Sequence, residues 1–274
     1  MSIIHAIILG IIQGLTEFLP ISSSGHLILV RDVFGWNLGG PEIEKTFDVA
    51  LHLGTFLGIA AYFYRDIIKL FRGFFRTVAS RSLTADPYGK LSILILIATV
   101  PAAFAGKFGE DIIEEKLGSP LIICALLIFF ALIMAWADAA GRRKREIGSV
   151  GVRDAIIIGV AQALALAPGT SRSGVTMTAG LFSGLKREDA ARFSFLISLP
   201  AIAGAALYKG AKLASHDIPP GLSVPMIAGT LAAAVSGLVA IFWLLRYLQN
   251  HNFRLFVAYR IVLGLGLAIF FLLH

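Results

Sequence analysis

Long apolar runs recur along this chain near residues 47–63, 91–106, 119–137, 193–211, 223–245 and 255–273, separated by short polar connections. Each is long enough to cross a hydrocarbon core of about 30 Å as a helix. The pattern predicts about six transmembrane helices. Two further apolar segments, at the start of the chain and after residue 154, are interrupted before they reach spanning length.

These interrupted segments are copies of one another. Ala6 to Gly25, AIILGIIQGLTEFLPISSSG, aligns without a gap on Ala155 to Gly174, AIIIGVAQALALAPGTSRSG. Identities fall at Ala6/Ala155, Ile7/Ile156, Ile8/Ile157, Gly10/Gly159, Gln13/Gln162, Leu15/Leu164, Ser22/Ser171, Ser24/Ser173 and Gly25/Gly174. Each copy begins as a helix, breaks at a proline (Pro20, Pro168) and ends in a turn rich in hydroxyls and glycine. Matching interrupted segments in two halves point to a membrane protein whose polar site lies where two broken helices meet. FDVALHLGTFLGIA from Phe47 is a weaker echo of FSFLISLPAIAGAA from Phe193. The expected fold is all-α and integral to the membrane. It is one membrane domain over 1–274, an inverted-topology repeat with halves of about 1–137 and 150–274. Two re-entrant helical hairpins meet mid-membrane.

Composition agrees: 57% of the 274 residues are hydrophobic and 15% charged, with a mean hydropathy of +0.81, outside the balance of a soluble domain. The net charge of +7 does not indicate nucleic acid, because the basic residues lie in short connections between spans, where they set topology. Arg65, Lys69, Arg72, Arg76, Arg81 and Lys90 crowd the loop 64–90, and Arg142, Arg143, Lys144, Arg145 and Arg153 crowd 138–153. Glu110, Asp111, Glu114 and Glu115 lie between, in a loop running from Lys107 to Ser119. Placing both basic loops in the cytoplasm puts 209–222 and the C-terminus outside and 246–254 inside, and gives the two repeats opposite orientation. Glu17 interrupts the first apolar run and no basic stretch precedes it, so no cleaved signal peptide is expected. Cys124 is alone, which excludes an intrachain disulfide and leaves a core-filling thiol.

The candidate chemistry sits at the breaks. Backbone that leaves helical geometry at membrane depth is tolerated only where protein buries it or where it lines a wet cavity. Ser22, Ser23, Ser24 and His26 follow one break, and Thr170, Ser171, Arg172, Ser173, Gly174 and Thr176 follow the other. A guanidinium within the membrane costs about 2.5–3.5 kcal/mol on insertion scales and therefore has a partner or a purpose. Arg172 is either an internal ion pair with Glu17 or a fork for an oxyanion, aided by serine hydroxyls, helix N-terminal N–H groups and a close backbone approach at Gly174. Gln13 and Glu17, four residues apart, share a helical face. Gln13 serves either the site or a helix-to-helix hydrogen bond, and Glu17 orients His26, holds a metal or neutralises Arg172. His26, three residues after Ser23, is either a satisfied core histidine or a base for the Ser23 hydroxyl, with Glu17 as orienter. His52 is structural or, with Asp48 one turn earlier, a supporting group.

QGLTEFLPISSSGH and PGTSRSGVT resemble the two signature motifs of the bacitracin-resistance family of undecaprenyl-diphosphate phosphatases, and the resemblance extends over the whole chain. It implies a hydrolase of the bacterial inner membrane, multi-pass, that removes the terminal phosphate of undecaprenyl diphosphate and so recycles the lipid carrier of cell-wall synthesis. Ser23, His26, Glu17 and Arg172 are the implied catalytic residues, with Gln13, Ser22, Ser24, Ser171, Ser173, Gly174 and Thr176 binding substrate. A divalent cation, Mg²⁺ or Ca²⁺, is implied at Glu17, although Gln13 stands where the family often has glutamate. The resemblance also implies a homodimer and a site open to the outer face. The rival class is a transporter or lipid flippase built on the same anion site, against which the Ser-Ser-Ser-Gly-His run argues.

Overall fold

The computed structural model describes residues 2–36, 39–83, 85–213 and 222–273. Eleven α-helices follow one another among these residues, and no sheet is present among them. They are α1 (Ile3–Phe18), α2 (Ser23–Phe34), α3 (Pro41–Tyr62), α4 (Tyr64–Ser80), α5 (Pro87–Leu117), α6 (Pro120–Ala140), α7 (Val152–Leu164), α8 (Arg172–Phe182), α9 (Arg187–Leu213), α10 (Ser223–Asn250) and α11 (Arg254–Leu273). Each apolar run falls on one of these helices to within a residue. Five of them, α5, α6, α9, α10 and α11, are long and apolar enough to cross a membrane, and α3 with α4 makes a bent sixth candidate. This is an all-α integral membrane protein.

Helix starts are chemically marked. Ser2 caps α1 by accepting from the His5 N–H, Asp86 caps α5 by accepting from Tyr88 and Gly89, and Pro41, Pro87 and Pro120 open their helices, where a missing N–H costs nothing. Pro101 and Pro200 sit inside α5 and α9, a placement that membrane helices tolerate when neighbours satisfy the freed carbonyls.

Two expected loops are helical instead. The basic 64–90 stretch contains α4, which leaves α3 at 79°; its Arg and Lys residues form one face of a helix, a periodicity that loop assignment by charge overlooks. The acidic stretch from Lys107 continues α5 to Leu117. The expected outside loop 209–222 falls largely on 214–221, outside the described residues.

The packing crosses between the halves. α1 lies against α10, and its counterpart α7 lies against α5; α10 also packs on α3, and α6 on α11. With no hydrophobic drive between helices in lipid, close approach depends on small residues at the contact. Gly10 and Gly14 meet α10 at Gly229, Ala233 and Gly237, and Gly159 meets α5, where a side chain at Gly159 would stand 2.6 Å from the Ala98 carbonyl oxygen. α1, α2, α7 and α8 are the short helices: the 16 residues of α1 and 12 of α2 are about 24 and 18 Å long, too short to span individually.

Gly159→Val is expected to push α7 off α5. Overpacking against backbone costs about 1–3 kcal/mol, so the variant should unfold several degrees below the parent in detergent thermal melts, whereas Gly266→Val, whose added carbon meets nothing, should not.

Candidate active site

The two breaks have the same local form. Ser22, between α1 and α2, has φ 77° and ψ 97°, and Ser171, between α7 and α8, has φ 72° and ψ 106°. A non-glycine residue in this region costs of order 1–3 kcal/mol and persists only where surrounding contacts impose it. The largest such contact is Arg260 on α11, fully buried at 0% exposure. Its Nη1 donates to the Pro20 carbonyl at 3.3 Å, and its Nη2 to those of Gly169 and Thr170, each at 3.0 Å. Its Nε donates to Leu127 O on α6 at 3.0 Å. One side chain therefore satisfies carbonyls of both breaks and ties them to the α6/α11 pair. Ser173 adds a second tie, donating to Leu19 O at 3.0 Å.

With the breaks joined, Glu17 at the end of α1 meets Arg172 at the start of α8. Arg172 Nη2 donates to Glu17 Oε1 at 2.7 Å. Glu17 Oε2 accepts from Ser23 Oγ at 2.7 Å and from Gln13 Nε2 at 3.1 Å, and His52 Nε2 stands 3.9 Å away. The carboxylate is buried and Arg172 nearly so, with 8% and 15% of their side chains exposed. Gln13, Glu17, Ser23 and Arg172 therefore form one cluster. The Glu17–Arg172 pair exists, yet it leaves Arg172 Nη1 buried without a partner. A buried, unpaired guanidinium N–H is costly unless a ligand completes it.

Ser23 is also the first residue of α2, whose N-terminus has no side-chain cap. Ser24 beside it is exposed. Uncapped first-turn N–H groups and the helix dipole make an anion site. The matching end of α8 is closed, because Ser171 Oγ accepts from Gly174 N at 3.1 Å. Ser171, Ser173 and Thr176 are buried and bond internally, Thr176 to the Ser194 hydroxyl at 2.6 Å and to Arg172 O. A side chain at Gly174 would meet Arg260 and Ser171, so this glycine makes room for the guanidinium that holds the breaks. Ser22 Oγ and Thr170 Oγ1 are buried without partners.

His26 differs from expectation. Its Nδ1 lies 2.6 Å from Ser22 O and its Nε2 2.8 Å from the Tyr259 hydroxyl, the two rings being nearly parallel. Nδ1 therefore carries the hydrogen and Nε2 accepts from tyrosine. No Ser23–His26 bond forms; the serine hydroxyl is bonded to Glu17 instead, because the first turn of α2 carries it toward α1. Asp48, expected beside His52, gives its carboxylate to Arg31 in a two-pronged ion pair, and His52 Nδ1 bonds the Asp48 backbone carbonyl at 2.8 Å. Arg260 and Tyr259 carry no motif; their one sequence signal is a charged residue inside an apolar span, which in membrane helices marks function or a fixed partner.

The match to known sequences runs nearly the full length: the family described as "Bacitracin resistance protein BacA" covers residues 6–266. The chain belongs to this family. Among relatives, proteins named undecaprenyl-diphosphatase from Trichlorobacter lovleyi (47% identity over 271 residues, 97% of this chain and 96% of the relative), Pelobacter propionicus (49% over 265, 96% and 95%) and Moorella thermoacetica (46% over 273, 99% of each) are similar to it. In this member of the BacA family, both signature boxes converge on the Glu17–Arg172 contact, and the packing of α11 brings them there.

Arg260→Leu is expected to strip partners from buried carbonyls and destabilise by about 3 kcal/mol or more, lowering the detergent unfolding temperature and abolishing the fold of the site. Arg260→Lys, with donors on a single nitrogen, should recover part of that loss in the same melts.

Proposed function

We propose that this protein is an undecaprenyl-diphosphate phosphatase, a membrane-embedded hydrolase that converts a polyprenyl diphosphate to its monophosphate. The family membership and the names of the relatives support it over a transporter, and one observation carries the mechanism: a serine at a free helix N-terminus bonded to a carboxylate, beside an arginine with an unused N–H. Exposed Ile4, Ile8, Ile11 and Leu15 along α1 offer the apolar flank that a C55 tail needs.

Ser23 Oγ attacks the terminal phosphorus and passes its proton to Glu17 Oε2. Arg172, through Nη1 and, as Glu17 gains the proton, through Nη2, neutralises the phosphoryl oxygens, and the α2 N–H groups complete the cradle. The bond to the prenyl phosphate breaks as the serine–phosphorus bond forms. The leaving monophosphate is a stable anion with a second pKa near 6, so departure needs no proton from His26, whose nitrogens are both engaged. Glu17 gives the serine proton up to solvent as the monophosphate departs and then takes one from the water that attacks the phosphoserine; as the serine–phosphorus bond breaks and phosphate leaves, Glu17 returns that proton to Ser23 Oγ. His26 fixes the start of α2 from the Tyr259 side.

A divalent cation is part of the proposal, with Mg²⁺ or Ca²⁺ as candidates. Among the described residues no group of three or more His, Cys, Asp or Glu is placed to hold a metal ion. Glu17 supplies one carboxylate, and Gln13 Oε1, buried and without a partner, supplies one neutral oxygen. This donor set suits an ion that arrives on the diphosphate, not a resident one; when bound, it would neutralise diphosphate charge. The homodimer, the outward opening of the site, the inner-membrane location and the inverted repeat with re-entrant hairpins complete the proposal. The repeat reading is supported by the matched geometry at Ser22 and Ser171 and by the exchanged α1/α10 and α7/α5 contacts.

Two substitutions should fail differently. Ser23→Ala should reduce phosphate release on the order of 10³-fold or more while prenyl diphosphate still binds. Arg172→Lys retains charge but loses the planar fork, and should weaken both binding and turnover, by on the order of 10²-fold in kcat/KM. Near-parental turnover by Ser23→Ala would move the attack to an activated water. For the cation, thorough chelation should abolish release and added Mg²⁺ or Ca²⁺ should restore it; a Gln13→Glu variant should bind the ion more tightly in direct titration. Full activity after chelation would remove the cation from the proposal.

A further inference from the structure

α4 plays no part in the site described above, yet it is the most sharply amphipathic helix among the described residues. At 100° per residue its 17 residues sort into three faces. Leu70, Gly73 and Thr77 are buried against the start of α5, where Gly73 meets Gly89 and Tyr88. Asp66, adjoining this face, accepts from Arg192 of α9 through both oxygens at 2.9 Å. The opposite face is apolar and open: Tyr64, Ile68, Phe71, Phe75 and Val78 are 51%, 46%, 65%, 54% and 55% exposed. Between the two runs a single row of cations, Arg65, Lys69, Arg72 and Arg76, spaced i, i+4, i+7 and i+11 over about 17 Å of helix.

The row is poorly neutralised. Arg65 Nε donates to the Tyr64 hydroxyl, and Lys69 reaches the Tyr88 hydroxyl at 3.4 Å and lies over its ring. Arg76 has a long 3.5 Å contact with Asp86 and keeps 73% of its side chain exposed. The only acid on α4, Asp66, is consumed by Arg192. An open apolar face with a flanking basic row is the pattern of helices that lie in a membrane interface, apolar face toward the acyl region and cations at phosphate depth; α4 has this pattern and turns 79° from α3.

We propose that α4 is a binding site for anionic phospholipid headgroups, held on Arg65, Lys69, Arg72 and Arg76 with the acyl chains against Phe71, Phe75 and Val78. Its occupant is lipid of the surrounding leaflet, distinct from the diphosphate substrate. Charge complementarity selects this occupant: the four cations stand beside Asp66, engaged by Arg192, and Asp86, at a long 3.5 Å contact with Arg76, and an interfacial helix carries its cations at the depth of the bilayer's phosphates. A juxtamembrane cation contributes roughly a fivefold preference for anionic lipid at low salt, so four in a row predict at least an order of magnitude overall.

The test uses the full chain in phosphatidylcholine vesicles containing spin-labelled phosphatidylglycerol or spin-labelled phosphatidylcholine, read as the relative association constant of the two labels. The parent should prefer phosphatidylglycerol by about tenfold or more, and R65Q/K69Q/R72Q/R76Q should fall to within about twofold of parity. R142Q/R143Q/K144Q, which removes three cations from another connection, should keep the preference. A preference unchanged in the quadruple variant, or lost equally in the triple one, overturns the proposal. A second measurement needs no variant: in about 1 M KCl, where screening shortens to about 3 Å, the parent's preference should collapse, and its persistence overturns the proposal as well.

Discussion

A helix broken at membrane depth exposes carbonyl groups that lipid cannot satisfy, and here the carbonyls of two breaks converge on one guanidinium. Arg260 reaches Pro20, Gly169, Thr170 and Leu127 without a carboxylate partner. A guanidinium presents its N–H groups in a plane around one carbon, so four carbonyls from three chain segments can gather only if those segments sit in a fixed relation. Gly174 is part of the same constraint, since any side chain there would intrude on Arg260 and Ser171. The positive φ angles of Ser22 and Ser171 are the local cost of bringing both turns to this point. Everything reactive is downstream: this join, with the Ser173 bond to Leu19 O, brings together the helices that carry Glu17 and Arg172.

Once they meet, Glu17 becomes the shared acceptor of the site. Its two oxygens serve Arg172, Ser23 and Gln13, with His52 at its edge. The carboxylate can therefore hold Ser23 in one rotamer and neutralise Arg172 while no ligand is bound. A phosphoryl group is a better partner for Arg172 than Glu17 is, because it carries more charge and more acceptor oxygens. In the proposed mechanism its arrival would loosen the ion pair and free Glu17 to act as a base, so that substrate binding and activation of the serine would draw on the same contact.

The spans were legible because hydropathy over twenty residues is a strong signal, and each apolar run proved to fall on a helix to within a residue. The two boxes were legible because a duplication preserves polar residues where an apolar chain has no use for them. What the sequence concealed depended on side-chain direction and on partners remote in the chain. Ser23 and His26 are three apart and look like a pair, yet the first turn of α2 sends one toward α1 and the other toward Tyr259, 233 residues away. Arg260 was visible only as a charge inside an apolar run. α4 was hidden by its charge, which reads as a loop until the helical spacing of Ile68, Phe71, Phe75 and Val78 is set beside that of the arginines.

The duplication also accounts for the division of labour. Position by position, Ser22 matches Ser171 and adopts the same backbone, but the next residue is Ser23 in one copy and Arg172 in the other, and Glu17 answers to Leu166. In the second copy Ser171 closes its own helix N-terminus by accepting from Gly174; in the first, Ser22 makes no such bond. A site with twofold chemistry would confront two nucleophiles, or two cations, across one small space. Divergence at one residue of a shared turn places a hydroxyl on the uncapped helix and a guanidinium on the capped one. In the proposed mechanism, a phosphoryl group between them would meet an attacking oxygen and open N–H groups from one copy and its neutralising charge from the other. The scaffold needs the copies to be alike, and the reaction needs them to differ at this position.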